Sequence, residues 1–215
     1  MANYLLLKES ERDILDNLKV YFSKTIDSYK YLYESSTNET NDDDIYEKIK
    51  SMNKKSFRRS EDILFESTWL IQKHQPKTKH LRIFIAIIYS IKDLERINTY
   101  IYKYTRFSIK KSKSFEDVKF KDFFLQFLDL IIQTMDSIFK VFEKFDFPEM
   151  LEESEEIFKK FLIKYDAIFF NFIDYIHTNK EIDTVEISKA VIIAKNFDRT
   201  IDHCMNIIES FSYIE

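Results

Sequence analysis

The chain reads as all-α, six helices arranged as two tandem three-helix bundles, and three observations predict it. There is no glycine among the 215 residues and there are only two prolines, Pro76 and Pro148. Hairpins and phosphate loops draw on glycine for positive φ or close backbone approach, so sheets, Walker loops and dinucleotide-binding loops are excluded. Apolar residues recur at three- and four-residue steps over long stretches, which keeps them on one helical face. A pattern of apolar residue, acid and arginine also occurs twice, around Glu95 and around Asp198, an offset of 103 residues.

The elements follow in order. Ser10 can cap a first helix, with Ile14, Leu15, Leu18, Tyr21, Phe22, Ile26, Tyr29, Leu32 and Tyr33 forming its buried stripe. The polar run from Glu34 to Asp44 is expected to be a loop. A second helix is predicted from Asp44 to His74, facing inward with Ile45, Ile49, Met52, Ile63, Leu70 and Ile71. Ser56, Ser60 and Ser67 stand on that stripe where large apolar groups are expected, so they mark either close helix packing or a polar pocket. Gln75-Pro76 makes a turn, Thr78 is a candidate cap, and the third helix runs to Tyr104. Thr105 to Ser114 is expected to link the halves. Helix four spans 115–145 on a phenylalanine-rich face, and Pro148 sits in the first turn of helix five, where a missing amide hydrogen is harmless. Helix five extends to His177, and helix six starts near Asp183 or Thr184. The offset of 103 carries Ile45 onto Pro148, so the expected units are residues 1–108 and 109–215.

Charge is nearly balanced, 33 basic against 37 acidic residues, which gives no overall drive toward nucleic acid. The apolar runs are shorter than the roughly 20 residues of a spanning helix. Leu5-Leu6-Leu7 lacks a basic leader and cleavage site, so no signal peptide is expected. A single cysteine, Cys204, cannot pair internally and suits a reducing cytoplasm.

Candidate chemistry is sparse. Asp198 and Asp202 are four apart and can share a helical face, where a metal ion or a cation such as Arg96 or Arg199 could neutralise them. His203 lies about 100° around the helix from Asp202, outside that ligand set. Cys204 beside His203 has no oxyanion hole and reads as a packing residue. The four histidines form no metal-ligand spacing. The basic run with Arg106, Lys110, Lys111 and Lys113 is the candidate partner surface, at the same end as the acidic Asp42 to Asp44, although simple solvation explains it as well.

Gln75-Pro76, Leu81-Arg82 and Asp93-Leu94-Glu95-Arg96-Ile97, with Phe197-Asp198-Arg199-Thr200-Ile201-Asp202-His203 as a second copy, resemble the motifs of the PhoU family, the accessory regulators of phosphate-specific transport. His80, Asn98, Ile201 and Thr99 depart from that pattern, the last replacing an acid. The resemblance implies motif arginines at Arg82, Arg96 and Arg199. It also implies iron, zinc or another divalent ion at Asp198 and Asp202, with Glu95 and Asp93 as a depleted first site, giving one weak metal site or none. It further implies a cytoplasmic, non-enzymatic regulator whose partners are the phosphate transporter's ATPase and, where present, a sensor histidine kinase, peripheral to the membrane only through a partner. A homodimer is compatible with the broad aromatic faces. A carboxylate-bridged metalloenzyme and a scaffold bundle unconnected to phosphate are the alternatives.

Overall fold

The computed structural model describes residues 2–38, 40–109, 117–179 and 183–214. Six helices follow one another: α1 (Ala2–Thr37), α2 (Asp42–His74), α3 (Thr78–Ile109), α4 (Val118–Lys144), α5 (Phe147–Thr178) and α6 (Thr184–Ser212). No strand occurs among the described residues.

Local chemistry accounts for the helix starts. The Asn41 side chain accepts from the Asp43 amide at 2.9 Å, and Asp42, Asp43 and Asp44 then lie in the first turn of α2, where carboxylates complement the helix dipole. The loop expected from Glu34 to Asp44 is therefore shorter: residues 34–37 end α1 and Asp42 to Asp44 open α2, with residues 38, 40 and 41 outside the helices. Asp117 caps α4 by accepting from Lys119 and Phe120, and Asp183 caps α6 by accepting from Val185. Pro148 occupies the first turn of α5, where its missing donor breaks no bond.

Two boundaries differ from the sequence reading. α1 begins well before Ser10, and its early turns are held by buried Leu7 and by Glu11, which pairs with His80 Nδ1 at 2.5 Å. α3 runs past Tyr104 because Thr105 is fully buried and its hydroxyl donates to the Ile101 carbonyl. Thr105 to Ile109 is thus helix, with Arg106 in the last turn. Lys110, Lys111 and Lys113 lie outside the described residues.

Without glycine, other residues must take the left-handed conformations that end helices. Gln75 closes α2 at φ 45°, with its amide donating to Ile71, and Phe145 closes α4 at φ 50°. Thr78, at the start of α3, also has positive φ, at 38°.

Each set of three helices packs on itself, and the sets join through α3 against α6 and α1 against α4. Arg82 meets Tyr213, Asp93 meets His203 and Tyr104 meets Phe197, so α3 and α6 run antiparallel. The core is continuous across the join: Phe22 of α1 packs on Phe139 and Phe142 of α4, and Phe124 of α4 touches Tyr104, Phe172 and Phe197. The aromatic residues therefore act as core filling, in edge and tilted contacts that add to their area burial.

Gln75→Gly is expected to stabilise the protein by about 0.5–1 kcal/mol, because an L-residue pays a Cβ clash in this conformation that glycine avoids. Urea unfolding of the two proteins checks it.

Candidate functional site

The polar chemistry of the chain concentrates where α3 crosses α6. Asp93, only 8% exposed, accepts from His203 Nδ1 at 2.7 Å, since a carboxylate can only accept. In the neutral tautomer this leaves Nε2 to accept from the Tyr100 hydroxyl at 3.3 Å. One helical turn away, the buried Tyr29 hydroxyl of α1 donates to the Ile97 carbonyl at 3.0 Å and lies 3.2 Å from Thr200 Oγ1. Burial raises the Tyr29 phenol well above its ordinary value, so it stays protonated as a donor. Two pairs of residues 103 positions apart meet at this seam, Tyr100 with His203 directly and Ile97 with Thr200 through Tyr29.

Beside the seam, α3 and the end of α6 border an open groove of about 890 Å³. Arg82, Lys92 and Arg96 line it, with Glu209 opposite and exposed Ile85, Tyr89 and Tyr213 on its walls. Arg82 also donates to the Tyr213 carbonyl at 3.3 Å. Two of the three motif arginines thus share one surface, and Arg199 is exposed elsewhere on α6 beside Asp198 and Asp202.

The expected first-half metal pair does not form. Positions two apart on a helix point about 200° from one another. Asp93 accordingly turns into the α6 seam, while Glu95 turns to α2, accepting from Ser60 Oγ at 2.5 Å and from Lys92. In the second half, Asp198 is half-buried and Asp202 exposed. The Asp198 carboxyl is raised first by burial and then by Asp202 and Asp166; that of Asp202 is raised by partial burial against the lowering charges of His203 and Arg199. Among the described residues no three His, Cys, Asp or Glu side chains converge on a point that could hold a metal. Two aspartates fall short of the four donors of a structural zinc or the larger oxygen sets of harder cations, so these residues do not fit a resident cluster. Cys204 is fully buried and burial pushes its thiol up, which makes it an inert packing group.

A second polar region escaped the sequence reading. Lys54, Lys55, Arg58 and Arg59 put four cations within six residues of α2, and Lys55 and Arg59 are one turn apart on the face toward α1. With Lys24 of α1 they ring a cavity of about 110 Å³ floored by Tyr21, Thr25, Ser28, Ser56 and Asn98. The Ser56 hydroxyl donates to Tyr21 at 3.0 Å, and burial, the largest effect, holds the Tyr21 phenol up at about 12. Of the three α2 serines, Ser56 lines this cavity, whose surface is more apolar than polar, and Ser60 is buried at its side, bonded to Phe57 and Glu95. Ser67 is buried with no hydrogen-bond partner among the described residues. The signal available in the sequence was the pair of like charges four apart, with no acid three or four positions from Lys55 and Asp62 three positions beyond Arg59.

The architecture has solved counterparts. PhoU from Pseudomonas aeruginosa superposes with a TM-score of 0.68 at 16% identity, covering 99% of this chain and 97% of that one. The phosphate transport system regulatory protein PhoU from Streptococcus pneumoniae gives 0.71 at 18% identity, over 99% and 96%. The chain has the PhoU fold. In sequence it is similar to an uncharacterized protein of Mycoplasma genitalium, 28% identical over 220 residues, covering 99% of this chain and 96% of the relative. A homologue of that protein in Mycoplasma pneumoniae is 27% identical over 221 residues, with the same coverage. No family model matches the sequence. Among the described residues, no helix of this PhoU fold is long and apolar enough to cross a membrane.

Two outcomes follow from the site. His203→Leu leaves the Asp93 carboxylate buried without its partner and is expected to cost about 3 kcal/mol in urea unfolding, part of it recovered in Asp93→Leu/His203→Leu. Asp198 and Asp202 are raised in the folded state, so their contribution to stability is full below the ordinary carboxylate value and is lost as pH rises through the raised folded values. Asp198→Asn should therefore raise the melting temperature at pH 7 by roughly 1–3 °C and leave it unchanged near pH 3.

Proposed function

We propose that the protein is a cytoplasmic, non-enzymatic regulator of phosphate uptake that works by docking on the ATPase of a phosphate transporter. The observation that carries this reading is the placement of Arg82 and Arg96, two arginines of the PhoU-like motifs, on one groove of a chain that follows the PhoU fold from end to end. One of the two solved counterparts is itself a phosphate transport system regulatory protein.

The groove suits an acidic partner surface with an apolar anchor. Arg82 and Arg96 outnumber Glu209, since Asp93 is engaged by His203 and Lys92 by Glu95, and Ile85, Tyr89 and Tyr213 offer exposed apolar area. Paired arginines add the planar, forked donors that carboxylates accept. Binding here regulates only through differential affinity: the groove must fit one conformation of the ATPase better than another. A sensor histidine kinase, where the organism has one, is the second partner of the same kind. No step of the proposal passes through a metal, and no residue is assigned a catalytic role.

The test is capture of the purified phosphate-transporter ATPase from the same organism on the immobilised protein. Wild type is expected to retain it, and Arg82→Glu/Arg96→Glu to weaken retention by at least about tenfold with helicity unchanged. Failure of the wild type to bind favours a scaffold unrelated to phosphate, and equal retention by the double variant moves the docking surface off this groove.

A further inference from the structure

We propose that the cavity between α1 and α2 is a binding site for a tetrahedral oxyanion of the phosphate class. The proposal stands apart from the docking groove, which lies between α3 and α6, and either can fail without the other.

Three features point to it. The cavity is edged by Lys24, Lys55 and Arg59, and no carboxylate lines it. Lys24 is neutralised by Asp27 at 2.8 Å, but neither Lys55 nor Arg59 has a carboxylate within ion-pair distance among the described residues. Like charges one helical turn apart repel, and Asp62, three positions beyond Arg59, faces the adjoining cleft without pairing with either cation, so both remain available to an anion at this opening. Glu95, which acts on Tyr21 from behind the floor, is occupied by Ser60 and Lys92.

The floor sets hydroxyl and amide groups beside Met52, and the cavity surface as a whole is more apolar than polar. Thr25, Ser28 and Asn98 are buried, and their donors are engaged by neighbouring helix carbonyls or by one another. Ser56 differs, because its hydroxyl donates to another hydroxyl, Tyr21, and can turn toward an incoming oxygen at little cost. An anion seated here accepts from the Lys55 ammonium, the Arg59 guanidinium and Ser56, which are charge-assisted or neutral donors of the usual phosphate kind. At about 110 Å³ the cavity admits one small oxyanion or a phosphoryl group while leaving the rest of a larger molecule outside. An adjoining cleft shares Lys55 and Arg59 but carries Asp62 and Glu66, so the anion belongs in the hydroxyl-floored cavity.

Isothermal titration of the full chain with inorganic phosphate, and separately with adenosine monophosphate, in a phosphate-free buffer at low salt tests the site. Wild type should bind phosphate saturably, and Lys55→Ala and Arg59→Ala should each weaken it by about tenfold, the size of one charge-assisted hydrogen bond. Lys54→Ala, which removes the same charge outside the cavity, should leave affinity unchanged. Lys55 is exposed, so its truncation keeps the reading open if Arg59→Ala proves unstable. Preference for free phosphate assigns the inorganic ion, and equal binding of the nucleotide assigns a phosphoryl group. Absence of saturable heat with both probes overturns the site, as does equal weakening by Lys54→Ala.

Discussion

The antiparallel crossing of α3 and α6 is the constraint on which the other packing depends. It is a polar seam inside a hydrophobic core, and its groups satisfy one another in a single register. Sliding α6 by one turn, about 5.4 Å, would separate His203 from Asp93 and Thr200 from the Tyr29 hydroxyl together. Each buried group left unpaired carries a penalty of the order of 1–3 kcal/mol, so alternative registers are disfavoured several times over. Because Tyr29 belongs to α1, the seam also fixes where α1 lies, and through Phe22 where α4 packs against it. Hydrophobic burial supplies the drive to collapse, and the seam selects which collapsed arrangement results.

The absence of glycine shapes the ends of the helices more than their middles. Long helices joined by short turns place few demands on the backbone, and side-chain caps meet most of them. The left-handed positions are the exceptions, and there the chain accepts a local clash at Gln75 and Phe145. At Phe145 the ring recovers something, since it packs on Phe142 and Phe211. Gln75 is exposed and precedes a proline, so it has no comparable compensation.

Most of the fold was legible because helical periodicity, caps and prolines are local signals, and they placed all six helices. The errors fell where tertiary contact overrides them. Thr105 looks like the start of a linker until its burial is seen, and the three aspartates after Asn41 look like a loop until they are recognised as a first turn. Site residues were less readable. Spacing gives the angle of Asp93 on its own helix and nothing about what faces it, so a seam residue was grouped with Glu95 as a ligand. The oxyanion-type cavity depends on α1 and α2 being adjacent and in register, and Lys55 and Arg59 alone resemble any basic stretch of helix.

Cys204 gives the chain an internal reporter. The only thiol of the sequence sits on α6 between His203 and the core, with no exposure. An alkylating reagent can reach it only in molecules whose halves have parted or unfolded, so the labelling rate of the unaltered protein measures how often the seam opens. Any ligand or partner that clamps the two halves together slows that rate, and one that pries them apart accelerates it, without a dye or an engineered site.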